Sequence, residues 1–127
     1  MSTLEKVMTT QEVANRLVEL CRKGEIIPAQ EELFADDIIS TEAEGSHGPG
    51  PRVVSGKNEV IEKGKQFSSM IEEVHESHIS DPIVAGKAFS ITWLFDVTIK
   101  GMGRQKMEEI CTYVVKDGKV ASEQFFS

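Results

Sequence analysis

Three glutamates sit in sequence contexts that could make them proton-transfer groups. Glu42 follows a short run of strand-forming residues and precedes the one Gly/Pro-rich tract, Gly45 to Pro51. Glu109 alternates with Met107, Cys111 and Tyr113, and Glu123 alternates with Ala121 and Phe125. A carboxylate turned into an apolar cavity loses hydration, so its pKa climbs toward the range of a useful acid or base at neutral pH. If all three face one cavity, like charges at low dielectric cannot all ionise freely, and the group could share a proton. The pattern leaves the strand register open. One residue of slip exchanges Glu109 for Glu108 on the inner face.

Other chemistry-bearing residues surround this set. Trp93 and Tyr113 are the only Trp and Tyr. Each reads either as core packing or as a wall for a flat ring, with the indole N–H or the phenol hydroxyl giving orientation. Phe34 and Phe125 add apolar surface of the same kind. His75 and His78, three apart on an expected strand, fall on opposite faces, which is poor geometry for sharing a metal. His78 shares parity with Val74 and is the imidazole more able to turn inward. His47 lies in the Gly/Pro tract and reaches a pocket only if that loop acts as a lid. The sequence holds no Ser-His-Asp order, phosphate-binding glycine loop or HExxH helix. Cys21 and Cys111 form no CxxC or metal-ligand cluster and read as buried small hydrophobes without a disulfide. No metal and no cofactor is expected.

Composition narrows the classes. The chain has 127 residues, 39% of them hydrophobic, and a net charge of −7. That length suits one domain over residues 1–127, with enough apolar residues for a core. The acidic balance argues against a nucleic-acid module and against an anionic membrane surface. No apolar run reaches spanning length, and the start MSTLEKVMTT reads as neither a signal nor a transit peptide, so a cytoplasmic protein is expected.

The elements that must position the glutamates follow from local pattern. Thr9 and Glu12 form a capping box for a first helix with Val13, Leu17, Leu20 and Cys21 on its apolar side, and Gly24 ends it. A short helix over Ala29 to Phe34 follows Pro28, and Ile38 to Glu42 reads as a strand. Ser55 caps a third helix that buries Val60, Ile61, Phe67, Met70 and Ile71. From Val74 the period changes to two. Phe89, Ile91, Trp93, Phe95, Val97 and Ile99 share one strand face, and Asp117-Gly118 turns a hairpin between Met107–Lys116 and Lys119–Phe126. The fold class is α+β: a strongly curved antiparallel sheet wrapped around helices, enclosing a cone-shaped pocket.

The order and spacing of these motifs resemble the SnoaL-like branch of the nuclear-transport-factor-2-like superfamily. The residues carrying the resemblance are Gly24-Glu25 after the first helix, Leu33-Phe34-Ala35-Asp36-Asp37 before a strand, Ser55-Gly56-Lys57-Asn58-Glu59-Val60-Ile61, and the closing hairpin Val115 to Val120. The resemblance implies a curved sheet around a small-molecule pocket, commonly in a homodimer formed through the sheet. Counting on from Asp36-Asp37, it places a general-base carboxylate near Glu42. The two oxyanion donors of the ketosteroid isomerases would fall near Leu17 and Cys111, which speaks against steroid isomerisation. The resulting expectation is a pocket for a small hydrophobic molecule, used by a cofactor-free isomerase, cyclase or hydrolase. Glu42, Glu109 and Glu123 would be its acid/base groups, and Phe34, Trp93, Tyr113, Phe125, Leu17, Cys111 and His78 would line it. The alternative is a non-catalytic ligand-binding or dimeric interaction domain.

Overall fold

The computed structural model describes residues 7–45 and 51–127, so His47 and its expected lid role lie outside the described residues. Helix α1 spans Thr10–Arg22. Its start is fixed by the reciprocal bonds expected of the capping box, with the Glu12 amide donating to Thr9 Oγ1 (3.1 Å) and the Thr9 amide to Glu12 Oε1 (2.9 Å). Gly24 follows at φ 78°, a conformation other residues adopt at a cost. Val13, Ala14, Leu17, Val18, Leu20 and Cys21 are buried along one side. Helix α2 runs from Ile26 to Leu33, starting earlier than expected. Pro28 lies inside its first turn, where a missing N–H costs no intrahelical bond. Strand β1 then begins at once, Phe34–Thr41, four residues earlier than the sequence suggested.

A short strand β2, Val53–Ser55, pairs with β1 and takes Ser55 out of its expected capping role. Helix α3, Lys57–Met70, is instead preceded by Gly56 at φ 98°. It buries Val60 and Ile61, whereas Ile71, expected on the helix, opens strand β3, Ile71–Ile79. The remaining strands are β4 (Ile83–Ala85), β5 (Ala88–Ile99), β6 (Gly103–Lys116) and β7 (Lys119–Phe126). The β6–β7 turn has Asp117 at φ 51° and Gly118 at φ 75°, the positive pair that a two-residue hairpin needs.

The seven strands form one open sheet in the order β2-β1-β7-β6-β5-β3, with β4 also on β5. One feature departs from an all-antiparallel sheet. β1 and β7 run parallel, Ser40 beside Glu123, so the sheet is mixed. The three helices pack on one side of it. Buried residues of α1, α2, α3, β1, β2, β3, β5, β6 and β7 join a single core cluster. No helix among the described residues is long and apolar enough to cross a membrane.

Register settles the side-chain faces. A shift between Val114 and Val115 puts Val120, fully buried, on the inner face where Ala121 was expected to join Glu123. A second shift, between Val74 and Glu76, changes the parity of β3. His75 then bonds Thr98 Oγ1 at 2.7 Å and His78 pairs with Leu94, so both imidazoles belong to the outer face rather than to opposite faces.

Candidate acid/base site

Successive rungs of the ladder lay out the inner face as rows that grade from closed to open. The first row is Ser40, Glu123, Tyr113 and Phe89, all at most 5% exposed. The second contains Phe125, Cys111 and Ile91, with Glu42 just past the end of β1 beside them. The third is Glu109, Trp93 and Ile79, and the fourth is Met107, Phe95 and Ser77. Burial falls along this series except at the β3 edge, where Ile79 is 3% exposed. Cys111 and Ile91 are buried, Glu109, Trp93, Phe95 and Met107 are half-buried, and Ser77 is exposed. Helix α1 fills the closed end with Leu17 and its neighbours, while α3 reaches the open end, where Phe67 and Phe95 lie 6.5 Å apart.

All three sequence-selected glutamates lie on this side, and their charges act on one another. Glu123 is 5% exposed, and its Oε1 accepts a 2.7 Å bond from the Ser40 hydroxyl. Burial pushes its carboxyl up to about 7, Ser40 opposes that rise, and the charges of Glu42 and Glu109 add to it. Glu109 is also pushed up, first by burial and then by Glu42. Glu42 is ion-paired with Lys63 of α3 at 3.0 Å. The Lys63 ammonium also donates to the Pro51 carbonyl (3.1 Å), and its charge favours the ionised form of Glu123. The pairing is largely sheltered, with the two side chains 13% and 25% exposed.

The lining is narrower than the sequence suggested. Leu17, Phe34, Cys111 and Tyr113 are core residues, each 3% exposed or less. Tyr113 stacks on Phe89 with centroids 4.8 Å apart. They form the floor beneath the row of glutamates because α1 fills the narrow end. Trp93 and Phe125 remain half-buried above that floor, packed on the core from its open side. The Trp93 indole N–H donates to Ser77 Oγ (3.2 Å), and its ring meets Phe95 edge-on at 5.9 Å. His78 is a correction: it lies on the outer face, beside a shallow recess of about 240 Å³ shared with Arg22, Ser77 and Ile79. A second recess of about 260 Å³ runs between Pro51, Val54 and α3 and is bordered by Lys63.

Sequence reasoning missed Ser40 and Lys63. The period-two step from Ile38 to Ser40 to Glu42 put Ser40 on the inner face. The helical step from Val60 through Lys63 to Phe67 did the same for Lys63. Among the described residues, no group of His, Cys, Asp and Glu is arranged to hold a metal ion.

This geometry matches a known family. A sequence profile described as the SnoaL-like domain matches residues 8–127. The chain belongs to the SnoaL-like domain family. Similar solved structures include a candidate SnoaL-like polyketide cyclase from Mesorhizobium loti, also labelled a carbohydrate phosphatase. It is 37% identical, with a TM-score of 0.85 over 94% of this chain and 100% of that one. A protein with a ketosteroid isomerase-like fold from Catenulispora acidiphila, in complex with trimethylamine, is 22% identical at a TM-score of 0.70, covering 94% and 87%. IdmH from Streptomyces antibioticus, a candidate polyketide cyclase, is 12% identical at 0.69, covering 94% and 91%. No curated protein sequence matches the chain. The fold shared by these SnoaL-like and ketosteroid isomerase-like proteins is the one described above.

Proposed function

We propose that this SnoaL-like chain binds a small hydrophobic, ring-bearing molecule and moves a proton on it without a cofactor, as an isomerase, cyclase or hydrolase would. The reading is carried by one observation: Glu42, Glu109 and Glu123 share one side of the sheet with the half-buried rings of Trp93, Phe95 and Phe125. Glu109 is the carboxyl best placed to meet a ligand, directly across from Trp93 and more open than Glu123. As base it takes a proton from carbon next to a carbonyl. The C–H electron pair becomes a C=C bond, the carbonyl pair moves to oxygen, and the proton rests on Glu109 until it returns to carbon or to the product. Glu123 behind it, raised to about 7, is the acid able to keep or release a proton near neutral pH. The polyketide-cyclase candidates from Mesorhizobium loti and Streptomyces antibioticus support ring closure among the three chemistries.

The test is α-hydrogen exchange of 2-tetralone in D2O, followed by NMR. The wild-type protein is expected to accelerate exchange over buffer, and Glu109→Gln to lose about a hundredfold of that acceleration while staying folded. No acceleration by the wild type removes the acid/base reading and leaves the non-catalytic binding domain.

Assembly as a homodimer through the outer sheet face belongs to the same proposal. Ile110 and Phe126 are directly paired there and about half exposed, and Val114 and Ile39 share a further outer rung beyond Thr112 and Gln124. An apolar sheet face of this kind suits a two-fold contact with a second copy.

A further inference from the structure

We propose that Lys63 is the electrophilic group of this site, holding the negative oxygen of a bound molecule with an ammonium N–H that no described residue takes. The inference rests on the pocket reading above and adds the polarity of its ligand: a carbonyl or phenol oxygen that gains charge. A lysine ammonium has three N–H bonds. Among the described residues Lys63 donates a hydrogen bond to the Pro51 carbonyl at 3.1 Å and is ion-paired with Glu42 Oε1 at 3.0 Å. These two partners engage at most two of the three hydrogens. The side chain is only 13% exposed, so this donor is held in a sheltered position instead of roaming in solvent.

Position and chemistry agree. Helix α3 projects Lys63 on the same side as Val60, in the core, and Phe67, which meets Phe95 on the ring wall. Its ammonium lies over the Glu42 end of the rows and acts on Glu123, whereas Trp93 and Glu109 lie one row further toward the open end. A ring seated on Trp93 and Phe95 would have Glu109 at its β6 edge and Lys63 beyond Glu109 on that same side, toward β1. Abstraction of a proton by a carboxylate creates an oxyanion, and a fixed cation stabilises that charge more strongly than water does. Leu17 and Cys111 are sealed in the core and present no exposed donor on this side. Lys63 supplies the cation from α3, while Glu42 keeps the ammonium in place.

The experiment compares binding of 4-nitrophenolate with that of 4-nitroanisole, its neutral ether of similar shape, at neutral pH. Wild type is expected to bind the phenolate more tightly than the ether. Lys63→Met is expected to weaken the phenolate about tenfold or more and leave the ether unchanged, while Lys63→Arg keeps most of the preference. Lys63→Met leaves Glu42 without its cation, so Lys63→Met/Glu42→Gln is measured alongside, and loss of the preference there has the same meaning. If wild type binds the ether but shows no preference for the phenolate, or if both methionine variants keep that preference, the Lys63 assignment falls while the pocket stands. If wild type binds neither probe, the ring pocket and the Lys63 assignment fall together.

Discussion

The hydroxyl of Ser40 donates to Oε1 of Glu123 at 2.7 Å, across the only parallel strand pair among the described residues. The two residues are 2% and 5% exposed and lie in adjacent strands far apart in sequence. This bond opposes the burial that raises the Glu123 carboxyl. Ser40→Ala is therefore expected to push the Glu123 titration above its present value of about 7. Carboxyl-carbon NMR across a pH series reads it directly. An unchanged midpoint would mean that the bond does not tune the acid.

Glu123 also ties stability to pH. Its carboxyl titrates at about 7 in the folded chain against 4.5 as an ordinary side chain. The folded state thus holds this proton more tightly than the unfolded state, and the resulting stability is full below pH 4.5 and lost as pH rises through about 7. The shift corresponds to about 3 kcal/mol. Glu123→Gln is expected to flatten that part of the profile and to be more stable than wild type on the alkaline side. Denaturant melts at a series of pH values give the comparison, and parallel profiles for the two proteins would contradict it.

The β6–β7 turn offers a purely conformational test. Gly118 has φ 75°, and a Cβ added there would stand 2.7 Å from Val7 Cγ1 and 3.1 Å from the Met8 backbone nitrogen. Gly118→Ala should cost at least about 1–2 kcal/mol, from left-handed strain plus displacement of the segment before α1. A urea unfolding curve measures it. A variant as stable as wild type would show that the turn relaxes without cost.

The outer sheet face yields a prediction about assembly. Ile110 is 49% exposed and faces Phe126 across the β6–β7 ladder. Light scattering is expected to give a dimer for the wild type and a monomer for Ile110→Glu, because a buried unpaired charge at an interface is strongly unfavourable. A wild type that is monomeric at micromolar concentration ends the homodimer proposal.

Local signals carried most of the fold. The Thr9–Glu12 box, the Asp117-Gly118 turn and the alternation from Phe89 to Ile99 each depend on neighbours within a few residues, and each element formed where those signals placed it. Non-local relationships were not legible. The parallel pairing of β1 with β7 joins distant segments, and no residue type marks it. The register shift that brings Val120 inward depends on how β6 and β7 twist together. Glu42, Glu109 and Glu123 could be picked out because alternation reports a face. Lys63 was passed over because a helical lysine normally points to water. Leu17, Phe34, Cys111 and Tyr113 were read as lining because periodicity tells inside from outside but not how much of the inside α1 fills.

The parallel β1–β7 pair also sets the order of events during synthesis. The strand carrying Ser40 is made well before its partner strand carrying Glu123, the bonded side chains being 83 positions apart. Until β7 emerges, β1 has only the three-residue β2 beside it in the sheet. The acid cluster therefore cannot assemble before β7 is made. A chain shortened before Lys119 would lose the carboxyl and the strand that seats it in one step.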